Sequence, residues 1–363
     1  MGIKKLNKFL LKYDAIQNFD NMNFLLKNIK HNNIYSNRKI LAIDTSLYMY
    51  KYIYSYDNYL VGFINQISKL LNHNIIPIYV FEGTPPEEKS DVIQMRYEKR
   101  NKLKERIALL EESIKISDDP DKIKELQNEI NRLGKQIIQI KKTMVELLKE
   151  LLDIVNIKYI DSIGESDSMC AYLYKNKYID GVISDDMDIL VSGCKYMIKF
   201  EKRNVVLYNL DFILDKLKLN YDKFVELCVL FGCDYVKPIP KLNNDRIYEL
   251  VNSNLTLEQI ITVINNTHIN TKVQSLLEEN KDIDKNILNN FYRNSIDYIN
   301  AKDLFINSME NEYIENFDLD TFKKKIDINL LDDFIDSNIE YIKKYIVNNI
   351  TNISNKINNK IKD

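Results

Sequence analysis

The chain is expected to be an α/β protein: a central, mostly parallel sheet with flanking helices, a long helical insertion, and an all-helical C-terminal region. Three observations carry this. Short apolar runs at Lys39 to Ile43, Asn74 to Phe81 and Gly181 to Ile183 read as strands buried on both faces, the pattern of parallel sheets. Helical apolar spacing alternates with them, which is the signature of sheet and helix layers packed together. Acids follow these runs at once, and open α/β sheets place their ligand sites at the carboxyl ends of strands.

The elements follow in order. Lys39 to Ile43 ends in Asp44 and the turn formers Thr45 and Ser46. Asn74 to Phe81 repeats the design and ends in Glu82-Gly83, with Pro77 close enough to the start to be tolerated. Residues 47 to 72 carry a mixed aromatic and aliphatic helical pattern, and most of the tyrosines at 48, 50, 52, 54, 56 and 59 are expected to pack as core or rim. From Lys89 to Asp153 the composition turns to long charged and aliphatic residues, broken strongly only at Ser117-Asp118-Asp119-Pro120. Two long helices are expected there, with Ser117 or Asp118 as the N-cap of the second. A solvated charged coil is the plain reading; an insertion directly after an acid-bearing strand end is also placed to cover a site.

Ile157 to Ile160 gives a further strand and Glu165 to Lys177 a helix, whose first turn accounts electrostatically for Glu165 and Asp167. After Gly181 to Ile183 come Asp185-Asp186-Met187-Asp188, then a hairpin from Tyr196 to Phe200 and Asn204 to Tyr208. Phe224 to Tyr235 reads as a buried helix ending near Gly232, with Asp234 following. Beyond Pro240 there is neither glycine nor proline, and the spacing of Ile247, Leu250 and Val251, and of Leu330, Phe334 and Ile335, predicts helices, with the last dozen residues frayed.

Composition excludes several classes. With 363 residues and 45% hydrophobic content the chain has a core for one large or two modest domains. Net charge is -2, so nucleic-acid contacts must come from local patches. Cys170, Cys194, Cys228 and Cys233 form no C-x-x-C pair, and His31, His73 and His268 are scattered, so zinc is not expected. The cysteines sit among apolar residues, which fits buried thiols in a reducing compartment. No signal-type or membrane-spanning run is present, and a soluble intracellular protein without membrane contact is expected.

Five segments present acids at strand or helix ends: Asp44; Glu82; Glu165 with Asp167; Asp186 with Asp188; and Asp234. Each alone is a solvated turn. Together they are seven oxygen ligands without histidine, which suits Mg²⁺, with Mn²⁺ as an alternative, and could hold two ions about 4 Å apart. Such a pair fits phosphodiester hydrolysis.

Met1-Gly2-Ile3, Ala42-Ile43-Asp44-Thr45-Ser46, Tyr79-Val80-Phe81-Glu82-Gly83-Thr84-Pro85-Pro86, Glu165-Ser166-Asp167, Asp185-Asp186-Met187-Asp188 and Leu230-Phe231-Gly232-Cys233-Asp234-Tyr235 occur in the order and spacing of the flap endonuclease family, which the chain resembles over residues 1 to about 250. The resemblance implies a nuclease core at 1–250, with a helical arch at about 89–153 and a modified helix-hairpin-helix region at about 234–250, then a helical region at 251–363. It implies a structure-specific 5′ nuclease cutting branched or flapped DNA with two Mg²⁺ ions, in replication, repair or recombination. Asp44, Glu82, Glu165 and Asp167 correspond to ligands of one ion, and Asp186, Asp188 and Asp234 to those of the other. Lys89 and Arg96 match basic residues that act on the scissile phosphate. Tyr50 matches a base-stacking tyrosine, and Gly2 falls in a motif that contacts DNA. Lys99, Arg100, Lys141 and Lys142 are candidates for phosphates of a threaded strand.

Two departures bear on this. Glu82 stands where the family carries Asp, one methylene shorter. The family's glycine-rich duplex-binding turn, often holding K⁺, is replaced by Ile239 to Arg246, with Lys241 and Asn243 at the glycine positions. Lys241 and Arg246 are then the candidates for duplex phosphates. No clamp-binding peptide is found at the C-terminus, and a monomer is expected. The Asn, Ile, Lys and Tyr bias fits a divergent member, such as one from a large DNA virus, acting in the nucleus or at a cytoplasmic replication site. A junction- or gap-preferring nuclease, a non-catalytic DNA-binding scaffold and a nuclease acting on RNA remain alternatives.

Overall fold

The computed structural model describes residues 2–3, 5–201, 204–239, 242–253, 255–278, 295–308, 312–314 and 328–338. Seven strands make a mixed, mostly parallel sheet flanked by helices, the α/β architecture expected from the sequence. Among the described residues no helix is long and apolar enough to cross a membrane. The chain divides into two compact units, one formed by residues 1–32 and 167–313, the other by residues 33–166 and 314–363.

In the second unit β2 (Lys39–Asp44) pairs parallel with β3 (Ile75–Phe81), and β3 pairs parallel with β4 (Tyr159–Asp161). Every residue of β3 is buried, as are all of β2 after Lys39. In register, Asp44 lies opposite Val80. Asp44 and Glu82 therefore leave the sheet at the same edge. The tyrosine-rich segment forms two helices, Thr45–Ser55 and Tyr59–Asn72, the second capped by the Asn58 side chain accepting from Leu60 N–H at 3.0 Å. Tyr48 is fully buried and Tyr52 packs edge-on against Phe63, while Tyr54 and Tyr56 are exposed, so the stripe runs from core to an outer rim.

The insertion holds three helices where two were expected: Ser90–Ile116, Pro120–Gln136 and Lys142–Ile154. The first two pair as a hairpin, with Leu110 and Leu133 its only buried residues among the described ones. The third turns Leu148, Leu151 and Leu152 into the unit and packs on the helix Ile328–Asn338. This change of packing partner sets the break at 137–141, which carries neither glycine nor proline to announce it. The N-cap is likewise Asp119 instead of Ser117 or Asp118. Its carboxylate accepts from Asp121 N–H (3.0 Å) and Lys122 N–H (3.4 Å), and Pro120 in the first helical position needs no acceptor.

The other unit carries β1 (Gln17–Phe19), β5 (Gly181–Ile183), β6 (Tyr196–Phe200) and β7 (Val205–Asn209). β5 and β6 run parallel; β6 and β7 form the expected hairpin, closed by Glu201 N–H donating to Asn204 O at 3.0 Å. β1 adds antiparallel to β7, a three-residue pairing too short to announce itself in sequence. The helix Tyr221–Phe231 is buried from Phe224 onward and ends at Gly232, as expected. All four cysteines are buried, and they stand as thiols outside any disulfide. The helices Asn244–Val251, Leu257–Glu278 and Ser295–Ile306 follow, with Ile328–Asn338 in the second unit. The expected frayed end, the hairpin tip at Lys202 and Arg203, and Lys241 lie outside the described residues.

Candidate metal centre

Strand ends and one helix start gather the acids of the second unit around a serine. Asp44 is 7% exposed at the end of β2, and Ser166 Oγ donates to its Oδ1 at 3.3 Å. Ser166 also hydrogen-bonds the Glu82 carboxylate through both its side chain and its backbone. Glu82 is solvent-accessible as a residue, yet the protein packed round its carboxyl raises its pKa. The Ser166 hydroxyl lowers it, neighbouring Glu165 raises it, and Lys89 lowers it. Lys89 Nζ donates to Glu165 Oε1 at 2.5 Å, with side chains only 12% and 7% exposed. Asp44, Glu82, Glu165 and Lys89 thus meet about Ser166. The serine was visible between two candidate acids, but its own part was not inferred.

In the other unit Asp186 and Asp188 follow β5. Asp186 N–H donates to Ser184 Oγ at 3.0 Å, and Asp188 N–H donates to Asp186 Oδ1 at 3.2 Å, so the turn is shaped by its own side chains. Asp188, 2% exposed, opens the short helix Asp188–Val191. Asp234 follows the buried helix end. Burial pushes the Cys233 thiol up to about 12, with the charges of Asp188 and Asp234 adding to the rise. Asp167 lies in the first turn of Ser166–Lys175, its Oδ1 accepting from Ser168 N–H at 2.9 Å.

Gly2, expected at DNA, lies against these acids. Its φ is +76°, and a Cβ there would run into Asp186 Oδ1 and stand 2.6 Å from Asp188 Oδ1. Only glycine fits, and a side chain would cover two carboxylate oxygens.

The remaining candidates are spread over the second unit. Arg96 and Lys99 are exposed on Ser90–Ile116; Arg100 is half-buried and, with the Gln139 amide turned oxygen-first, donates to it at 2.9 and 3.2 Å. Lys141 and Lys142 are exposed at the start of their helix, Lys142 at 3.8 Å from Glu146. Tyr50 is half-exposed on Thr45–Ser55. In the other unit Arg246 is 58% exposed and pairs with Glu249 at 2.7 Å. Asn243 has φ -81° and caps Asn244–Val251 through Arg246 N–H at 2.8 Å, so this position holds no left-handed turn.

Among the described residues no group of three or more histidine, cysteine, aspartate or glutamate side chains is drawn together as a ready ligand set. The carboxylates are instead met by Lys89, Ser166 and backbone N–H groups. The donors nonetheless fit a hard divalent cation: they are carboxylate oxygens, and Gly2 sets no side chain against Asp186 Oδ1 or Asp188 Oδ1.

The fold is an α/β sheet with carboxylates at its strand ends and Lys89 paired with one of the acids. Two family models match, the XPG N-terminal domain over residues 1–103 and the XPG I-region over 156–234. The chain is 29% identical over 285 residues to flap endonuclease 1 of Enterocytozoon bieneusi, covering 73% of both chains. It is 29% identical over 314 residues to a probable RAD2-like endonuclease of Invertebrate iridescent virus 6, covering 72% of this chain and 73% of that one. The fold is similar to the catalytic core of Rad2 in complex with DNA substrate (TM-score 0.64, 19% identity, 97% of this chain and 100% of that one). It is also similar to the flap endonuclease of Methanococcus jannaschii (TM-score 0.59, 20% identity, 96% and 98%). The chain belongs to the XPG and flap endonuclease family, as a divergent member.

Proposed function

We propose that the chain is a structure-specific flap endonuclease and 5′-3′ exonuclease that hydrolyses DNA phosphodiester bonds with two Mg²⁺ ions, Mn²⁺ serving in their place. The observation that carries this is the meeting of Asp44, Glu82, Glu165 and Lys89 about Ser166. Asp44, Glu82, Glu165 and Asp167 would hold one ion, and Asp186, Asp188 and Asp234 the other. Bound there, the ions would supply Lewis acidity and positive charge to the phosphodiester.

The chain's own residues do the rest. Ser166 orients Asp44 and Glu82 by hydrogen bonds to both. Glu165 holds Lys89 Nζ at the rim of the acids, where it serves as a fixed donor to the scissile phosphate and gains strength as charge develops. Arg96, exposed two turns further along, adds a second cation. Tyr50 supplies a stacking face for the displaced base, and Lys99, Arg100, Lys141 and Lys142 track the phosphates of a single strand. Arg246 and Lys241 grip duplex by side-chain contacts, and Gly2 sets no side chain of its own against the Asp186 and Asp188 oxygens.

The test is a panel of labelled flap, nick, gap, four-way-junction and single-stranded substrates, in DNA and RNA, with and without Mg²⁺. Mg²⁺-dependent incision at the base of a 5′ DNA flap is the expected result; binding without cleavage on every substrate would leave a scaffold.

A further inference from the structure

Gly232 is the last glycine of the chain, and the segment that carries Asp234 follows it directly. That segment is folded back on itself at the glycine. Gly232, at φ +92°, abuts Pro238 so closely that a Cβ would sit 2.6 Å from its nitrogen, and Cys233 N–H donates to Val236 O at 3.0 Å.

The helix Ser295–Ile306 closes on this fold from outside with one stripe. Tyr298, Ala301, Lys302 and Phe305 follow i, i+3, i+4, i+7 spacing, so they share a face. Tyr298 Oη donates to Lys237 O at 3.1 Å, and the Phe305 and Tyr235 rings meet edge-on at 5.1 Å. Lys302 Nζ donates to Asp222 Oδ2 (2.7 Å) and to Glu226 Oε1 (2.9 Å) on the helix that leads into Gly232. Glu226, 4% exposed, accepts also from Lys223 Nζ at 2.9 Å, and Lys223 donates on to Leu255 O at 2.7 Å. Three contacts of different kinds thus bracket Asp234: an ionic one before it, a ring contact at its neighbour, and a hydrogen bond three residues after it.

We infer that Ser295–Ile306 is a positioning helix for Asp234: Tyr298, Lys302 and Phe305 hold the 232–238 fold in the form that lets this carboxylate serve a divalent ion. The inference rests on the proposed metal role of Asp234. The three side chains act through the segment they hold.

The experiment is Mn²⁺ binding to the full chain, followed by the electron paramagnetic resonance of free Mn²⁺, for wild type, Tyr298→Phe, Phe305→Leu and Asp234→Asn, and for Tyr298→Phe within Asp234→Asn. Tyr298→Phe keeps the ring and deletes one hydrogen bond. It should weaken Mn²⁺ binding on the order of fivefold, the worth of one such bond. Within Asp234→Asn the same change should have no effect, because coupled residues are not additive. Melting temperatures taken alongside separate a merely structural part. Lower melting with unchanged Mn²⁺ affinity in both Tyr298→Phe and Phe305→Leu would overturn the inference, as would equal weakening with and without Asp234, or no Mn²⁺ binding by wild type. Wild type that binds Mn²⁺ with the expected coupling but cleaves no flap would sustain the positioning role and sink the nuclease reading instead.

Discussion

Lys89 stands in two roles at once, and the two separate by mutation. Its Nζ lies 2.5 Å from Glu165 Oε1, with side chains 12% and 7% exposed, and Glu82 adds a further negative charge nearby. Lys89→Met removes the cation and leaves Glu165 among acids in a buried setting. Breaking a buried pair from one side costs about 3–5 kcal/mol. At roughly 2–4 °C per kcal/mol for a chain of this size, melting should fall by roughly 6–20 °C. Lys89→Met/Glu165→Gln removes both charges and keeps their volumes, so most of that loss should return. Catalysis should not return: a donor aimed at developing charge is worth about 10²–10³ in rate, and both variants lack it. The assays are thermal melts in EDTA, so that no divalent ion replaces the lysine, and single-turnover cleavage of a flap substrate in saturating Mg²⁺. A double variant no more stable than Lys89→Met would refute the pair's energetic part. Near wild-type turnover in Lys89→Met would refute its part in the reaction and leave an ordinary structural ion pair.

Asp186→Ala and Asp188→Ala should abolish cleavage while flap binding in Ca²⁺ survives, since each removes an ion ligand and little core; near wild-type turnover in Mg²⁺ for either would exclude the assignment. Gly2→Ala adds a methyl against both carboxylates at a positive φ, costing about 1–2 kcal/mol for the backbone alone, so Mn²⁺ affinity should drop with it; unchanged affinity on titration would show that the cradle is unimportant. Arg96→Ala should lower the single-turnover rate far more than flap affinity, and the reverse pattern would mark it as a phosphate anchor. With Asn243 at φ -81° and no left-handed turn there, flap binding should show no preference for KCl over NaCl at equal ionic strength, and Lys241→Ala or Arg246→Ala should each lower the salt slope by about one; a clear K⁺ preference that survives both changes would mean an ion site exists without the glycines.

Much of the protein was legible in its sequence because the signals were local. A strand buried on both faces must be apolar throughout, so β2, β3 and β5 stood out, and an acid directly after such a strand can only leave at its carboxyl end. The order of six motifs carries the family resemblance in the sequence alone. What tertiary structure decided were matters of partnership. No local feature tells that Ser166 would serve Asp44 and Glu82 together, that Glu165 would take Lys89, or that Gly2 would rest on Asp186 and Asp188, because each contact joins residues far apart along the chain or turns on backbone geometry. The break at 137–141 went unread for the same reason: the helix ends where its packing partner changes, not where its residues do. The stripe Tyr298, Lys302 and Phe305 carries no signal of its own in the sequence; only the fold brings it to Lys237, Glu226 and Tyr235, in the segment around an acid more than sixty residues earlier.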